Sequence, residues 1–207
     1  YYYERVDMND AATDDSGATI AESISCIQNH GVCPEHMWKY YDVTNDNKQF
    51  SIKPPEECDM IANSCNASKD IEYVFAVKQT EADIKKTLVA GYPILFGYKV
   101  FTSFMDPEVA STGKVNMPQD YDMCLGGHAV VAVGYDDDGC YIDSNNNNKT
   151  GTMIKVRNSW GVNWGKQGYF YVPLEYLLDS NLASDFWTIQ SINMSADIQI
   201  KQNKQNI

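Results

Sequence analysis

The sequence predicts an α+β fold of two lobes, a helical lobe followed by an antiparallel, β-barrel-like one. Apolar residues at helical spacing (Ile20, Ile24 and Ile27) mark the first part of the chain. Short apolar runs punctuated by glycine-rich turns mark the remainder. With 207 residues, 43% hydrophobic and 12% aromatic, the chain can bury a sizeable core as one large domain or two small ones.

The helical lobe is expected over residues 1–70, the β-rich lobe over 71–190, and a polar tail over 191–207. Ser16 is expected to cap a helix that Gly31 stops. GVCPEHMWKYY then supplies Trp38, Tyr40 and Tyr41 for packing. From Asp42 to Asp70 the composition turns loop-like, and a domain boundary is expected there. IEYVFAVK alternates as a half-buried strand, and Thr80 with Asp83 opens a helix that Gly91 and Pro93 end. ILFGYKV reads as a strand followed by a long loop through Gln119. Beyond it, AVVAV (residues 129–133) reads as a buried strand that turns at Asp138-Gly139 into CYID. Four asparagines, Asn145 to Asn148, lead to MIKVRN, and YFYVP follows at Tyr169–Pro173.

Charge narrows the partners. A formal net charge of −12 argues against nucleic acid and against an anionic membrane surface. No run of 18 apolar residues is present, so no membrane span is expected. Six cysteines and three sequons (at Asn66, Asn148 and Asn193) lean toward an oxidising compartment, whether secreted, lysosome-like or virion-associated. Cys58–Cys65 is one candidate disulfide. The chain opens YYYERV, without an initiator methionine or a signal peptide, and is expected to begin inside a longer protein.

Two stretches carry chemistry. GGHAVVAVGYD sets His128 after two glycines and before an apolar run, which suits either a core histidine or a reactive base. RNSWGVNWGKQGYFYV packs Trp160, Trp164 and three glycines into an aromatic-walled turn. Together the two stretches resemble the histidine and asparagine signatures of papain-like cysteine peptidases. GVCPEHMWKYY, AGYPILFGYKV and LASDFWTI resemble a branch of that family known from microbes and large DNA viruses, and the likeness extends from about Tyr1 to Ile189. Met153-Ile154-Lys155 departs from the aromatic and aliphatic residues usual before the asparagine.

The resemblance implies hydrolysis of peptide bonds in a peptide or protein substrate, with no metal or organic cofactor. It implies that His128 is the catalytic base, that Asn158 orients it, and that Trp160 shields their hydrogen bond. Gly126 and Gly127 would let an extended substrate lie against the main chain, and Ser184 would floor the pocket for the second residue before the scissile bond. Asp185 beside it would favour a basic residue if it faced that pocket.

Amide attack needs a thiolate, and an imidazole that takes the thiol proton can later protonate the leaving amine. None of the six cysteines matches the family's nucleophile motif, a glutamine and a glycine-rich turn before a cysteine that opens a helix. Cys26 sits late in a helix, where the dipole disfavours a thiolate. Cys33 lies in a helix-exit turn, Cys58 and Cys65 lie in a polar loop, and Cys124 lacks a helix N-terminus. The nucleophile is therefore expected upstream, with the upstream fragment of the same precursor as a second chain. Three other readings compete: a catalytically inactive papain-like binder, a metal site at Cys124, His128 and Cys140, and an EF-hand fragment at Asp136–Gly139. His30 and His36 have no motif around them and read as surface residues.

Overall fold

The computed structural model describes residues 1–40, 49–64 and 73–191. Two compact units result: Tyr1–Val74 belong to the first, and Phe75–Ile189 form the second. Tyr41, Cys65, the sequons at Asn66 and Asn193, and nearly all of the C-terminal tail lie outside the described residues.

The first unit contains helices α1 (Tyr2–Asp7), α2 (Ile20–His30) and α3 (Glu56–Ser64). Thr19, not Ser16, caps α2. Its hydroxyl accepts the Glu22 N–H at 3.2 Å while the Glu22 carboxylate accepts the Thr19 N–H at 2.8 Å. Such a reciprocal box satisfies two orphan donors at once. Ser16 is committed elsewhere, to the fully buried guanidinium of Arg5, which also meets Asp10 and the Gly17 carbonyl. A buried charge needs partners of this kind, and Ser16 serves it rather than the helix.

Helix α3 falls inside the stretch that reads as loop. Its signal is electrostatic more than apolar, with Pro54-Pro55 ahead of it and Glu56, Glu57 and Asp59 in its first turn. Cys58 and Ala62, one turn apart, are both buried. Of the aromatics after α2, Trp38 is half-buried but Tyr40 is 79% exposed.

Six strands form one sheet in the order β1-β6-β2-β3-β4-β5. They are β1 (Tyr73–Ala76), β2 (Ile94–Phe101), β3 (Cys124–Ile142), β4 (Asn148–Arg157), β5 (Tyr169–Pro173) and β6 (Ala183–Ser191). The β2–β3, β2–β6, β3–β4 and β4–β5 pairs are antiparallel. Helices α4 (Glu81–Val89), α5 (Pro107–Thr112) and α6 (Leu174–Leu178) complete the second unit, so the fold is α+β. Thr80 caps α4 by accepting the Asp83 N–H at 3.2 Å. Its core includes Ile84 of α4, Phe96 of β2, Ile154 and Val156 of β4, Phe170 of β5 and Leu177 of α6.

Two expectations fail here. The loop through Gln119 holds a short 3-10 helix, Thr102–Met105, and then α5, which bury Phe104 and Val109. And β3 does not turn at Asp138-Gly139. It runs on to Ile142, and Asp143–Asn147 make the turn into β4. Asp138-Gly139 is instead a bulge, where β3 slips in register between Asp136 and Gly139. A Cβ on Gly139 would fall 2.2 Å from the Met153 side chain, so glycine there serves packing against β4. The buried Asp143 organises the true turn, accepting the N–H groups of Asn145 and Asn147 at 2.9 and 2.8 Å.

Candidate active site

The run read as a wholly buried strand alternates. Val130 and Ala132 are buried, whereas Ala129 and Val133 are exposed. Side chains two apart on a strand share a face, so His128 extends the core-facing row of Val130 and Ala132. On β4 the buried row Ile154 and Val156 leads in the same way to Asn158, just past the strand end. Ala132 pairs with Val156 and Val131 with Arg157. That antiparallel register brings the two rows' polar ends together.

His128 Nε2 lies 2.9 Å from Asn158 Oδ1. The same oxygen accepts the Ser159 N–H at 2.8 Å, which identifies that end of the amide as the acceptor. Nε2 must then be the protonated nitrogen, and in the neutral ring Nδ1 keeps the lone pair. Asn158 is 7% exposed, so the bond is sheltered from competing water. Its Nδ2 is buried and finds no acceptor among the described residues. Ala129–Val131, Arg157–Ser159 and Gly161–Val162 line a cleft of about 880 Å³ beside it.

Aromatic rings hold the imidazole. Trp160 stacks on His128 at 5.5 Å between centroids and 22° between planes, and stays 42% exposed. Phe104 and Trp164 meet Trp160 edge-on at 5.5 and 5.1 Å. Tyr98, paired with His128 across β2 and β3, packs its ring 5.9 Å away. Burial raises the Tyr98 phenol far above its usual range, so it stays neutral beside the histidine. Sequence reading missed Tyr98 and Phe104. Aromatics within AGYPILFGYKVFTSF were the available signal, but only the sheet register says which one faces His128.

Residues 6–185 match the papain family cysteine protease profile. The chain belongs to the papain family of cysteine proteases. It is 42% identical over 199 residues to an uncharacterized peptidase C1-like protein of Acanthamoeba polyphaga mimivirus, covering 93% of this chain and 57% of that protein. The crystal structure of xylellain, a cysteine protease from Xylella fastidiosa, superposes with a TM-score of 0.75 at 32% identity, covering 93% of this chain and 68% of xylellain. Procathepsin B from Trypanosoma congolense shares the fold, with a TM-score of 0.60 at 17% identity over 89% of this chain and 56% of that one. The chain thus spans a little over half the length of its mimivirus relative.

Within this papain-family chain the remaining candidates are spread out. Gly126 and Gly127 are exposed, and a Cβ on either would meet nothing within 4 Å. The backbone before His128 is therefore open to an approaching chain. Ser184 is exposed on β6, in register with Gly97 of β2. With β2 between β6 and β3, it stands about 10 Å from the His128 strand at ordinary strand spacing. The Asp185 carboxylate accepts the Trp187 indole N–H at 2.5 Å.

Cys124 is exposed, with its thiol 4.0 Å from the Gly126 carbonyl and no hydrogen bond to His128. Cys140 lies beyond the β3 bulges, with its thiol 3.8 Å from the Thr150 hydroxyl. Among the described residues, the group that gathers three metal-ligating side chains is Asp7, Cys26 and His30, in the first unit. His30 is not a bare surface residue. Its Nε2 meets the Asp7 carboxylate at 2.9 Å, and its ring stacks on Tyr3 at 4.7 Å. No helix among the described residues is long and apolar enough to cross a membrane.

Proposed function

We propose that this chain supplies the acid–base half of a cysteine-peptidase site that hydrolyses peptide bonds in a peptide or protein substrate. His128 takes the thiol proton of a cysteine borne upstream of these residues, and Asn158 orients it. The observation that carries the reading is the 2.9 Å contact between His128 Nε2 and Asn158 Oδ1. With Nε2–H committed to the amide oxygen, Nδ1 is the nitrogen available as base.

Proton transfer to Nδ1 makes an imidazolium, which the Asn158 oxygen and the Trp160 face stabilise without themselves exchanging a proton. The thiolate attacks the scissile carbonyl, and His128 returns the proton to the leaving amine. Water then hydrolyses the thioester with His128 again as base. Gly126 and Gly127 lie beneath the extended substrate, Trp160 keeps water from the Asn158–His128 bond, and Ser184 contributes to the second subsite. That the nucleophile lies upstream is supported by Cys124. It is the cysteine nearest His128 in the sequence, yet it is exposed and its thiol faces the Gly126 carbonyl at 4.0 Å.

The reading is tested on a polypeptide that joins these 207 residues to their upstream segment. A fluorogenic peptide substrate should be turned over by the wild type and not by His128→Ala. Equal turnover in both, or peptide binding without turnover in the wild type, overturns it. The second result would favour an inactive binder.

A further inference from the structure

The turn leaving α2 approaches α3 closely. Gly31 has φ +71°, and a Cβ there would fall 2.4 Å from the Ala62 carbonyl oxygen, so main chain lies directly on helix. Cys33 follows two residues later, and Cys58 stands one turn before Ala62 on the same buried side of α3. Burial pushes the Cys58 thiol up, and the neighbouring Cys33 thiol adds to that shift. Both are free thiols in the structure, Cys58 only 3% exposed and Cys33 half-buried.

We infer that Cys33 and Cys58 are a site of covalent modification, forming a disulfide that staples the exit of α2 to α3 in the folded protein. The reaction is thiol–disulfide exchange with a small-molecule disulfide such as glutathione disulfide. The thiolate of Cys33, the more exposed of the pair, attacks one sulfur of the oxidant and expels a thiolate. The Cys58 thiolate then attacks the Cys33 sulfur of the mixed disulfide and expels the second. Two cysteine thiols lose two protons and two electrons, one S–S bond forms, and the oxidant's S–S bond becomes two thiols. Burial, reinforced by the Cys33 thiol, raises the Cys58 pKa, so the second step speeds up as pH rises.

The bridge closes a loop of roughly 25 residues, long enough for a substantial restriction of the unfolded chain. The purified chain is equilibrated in glutathione mixtures from reducing to oxidising, alkylated, and digested without reduction. Mass spectrometry should find the Cys33 peptide joined to the Cys58 peptide, two hydrogens lighter than their sum, with the fraction rising with the oxidised ratio. The oxidised form should melt about 5–15 °C above the reduced one. Cys33→Ser, chosen because this position is less buried, should abolish that difference. A peptide joining Cys58 to any other cysteine, alkylated Cys33 and Cys58 at every ratio, or an oxidised form no more stable than the reduced one would overturn the inference. None of these readouts depends on peptidase activity.

Discussion

Asn158 Oδ1 accepts two hydrogen bonds, from His128 Nε2 at 2.9 Å and from the Ser159 backbone N–H at 2.8 Å. The backbone donor pins the amide, and the pinned amide sets the imidazole's tautomer. An aspartate or leucine in its place would lose either the neutrality or the acceptor.

In the upstream-extended polypeptide, Asn158→Ala should lower kcat on the order of 10²-fold and leave KM nearly unchanged, because the ring is misaimed rather than removed. His128→Ala should leave no measurable turnover. Steady-state kinetics on one peptide substrate decide it. An Asn158→Ala effect confined to KM would mean that Asn158 acts on substrate binding.

Trp160 fixes the other face of the imidazole. Losing a ring pair of about 0.5–1.5 kcal/mol should cost up to about tenfold in kcat for Trp160→Ala. Trp160→Phe should recover most of it. Full activity in the alanine variant would show that the stacking in the structure has no part in catalysis.

Gly165 has φ +58°, and a Cβ there would fall 2.5 Å from the Tyr169 carbonyl. Gly165→Ala should destabilise the second unit by about 1–3 kcal/mol or more, since both conformation and space oppose it. A thermal melt should drop by several degrees, while Gly127→Ala, where a Cβ meets open space, should melt like the wild type.

The Asp143 carboxyl is held below its usual range chiefly by the Asn147 backbone N–H, with help from Lys149 and the Asn145 N–H. A carboxyl depressed by folding adds stability that is complete above the unfolded pKa, near 3.9. That stability is lost as pH falls through the lower, folded value. Asp143→Asn should therefore flatten the fall of Tm below about pH 4. An unchanged acid limb would show that Asp143 does not couple the β3–β4 turn to protonation.

The α+β class was legible in helical spacing and short apolar runs, and His128 and Asn158 stood out through the likeness of their two stretches to the family's signatures. The alternating buried rows that lead to them, Val130 with Ala132 and Ile154 with Val156, emerged only in the structure, because AVVAV reads as a run buried on both faces. Asp138-Gly139 misled because a bulge and a hairpin turn favour the same residues, and only the Met153 side chain opposite decides between them. Helix α3 was hidden because, among its described side chains, Cys58 and Ala62 alone are buried, too few positions for a period to emerge. The α2 cap went to Thr19 because a buried arginine had claimed Ser16. That competition is tertiary and leaves no trace in helix propensity. Tyr98 and Phe104 reach the site through sheet register and a short 3-10 helix, which no spacing rule anticipates.

The central claim is that His128 serves a thiol outside these 207 residues. A peptidyl epoxide that alkylates active cysteines irreversibly, applied to the upstream-extended polypeptide and located by peptide mapping, tests it most directly. The label should sit on one cysteine of the upstream segment and be lost in His128→Ala. A label on Cys124, or on any other of the six cysteines described by this sequence, would contradict the account.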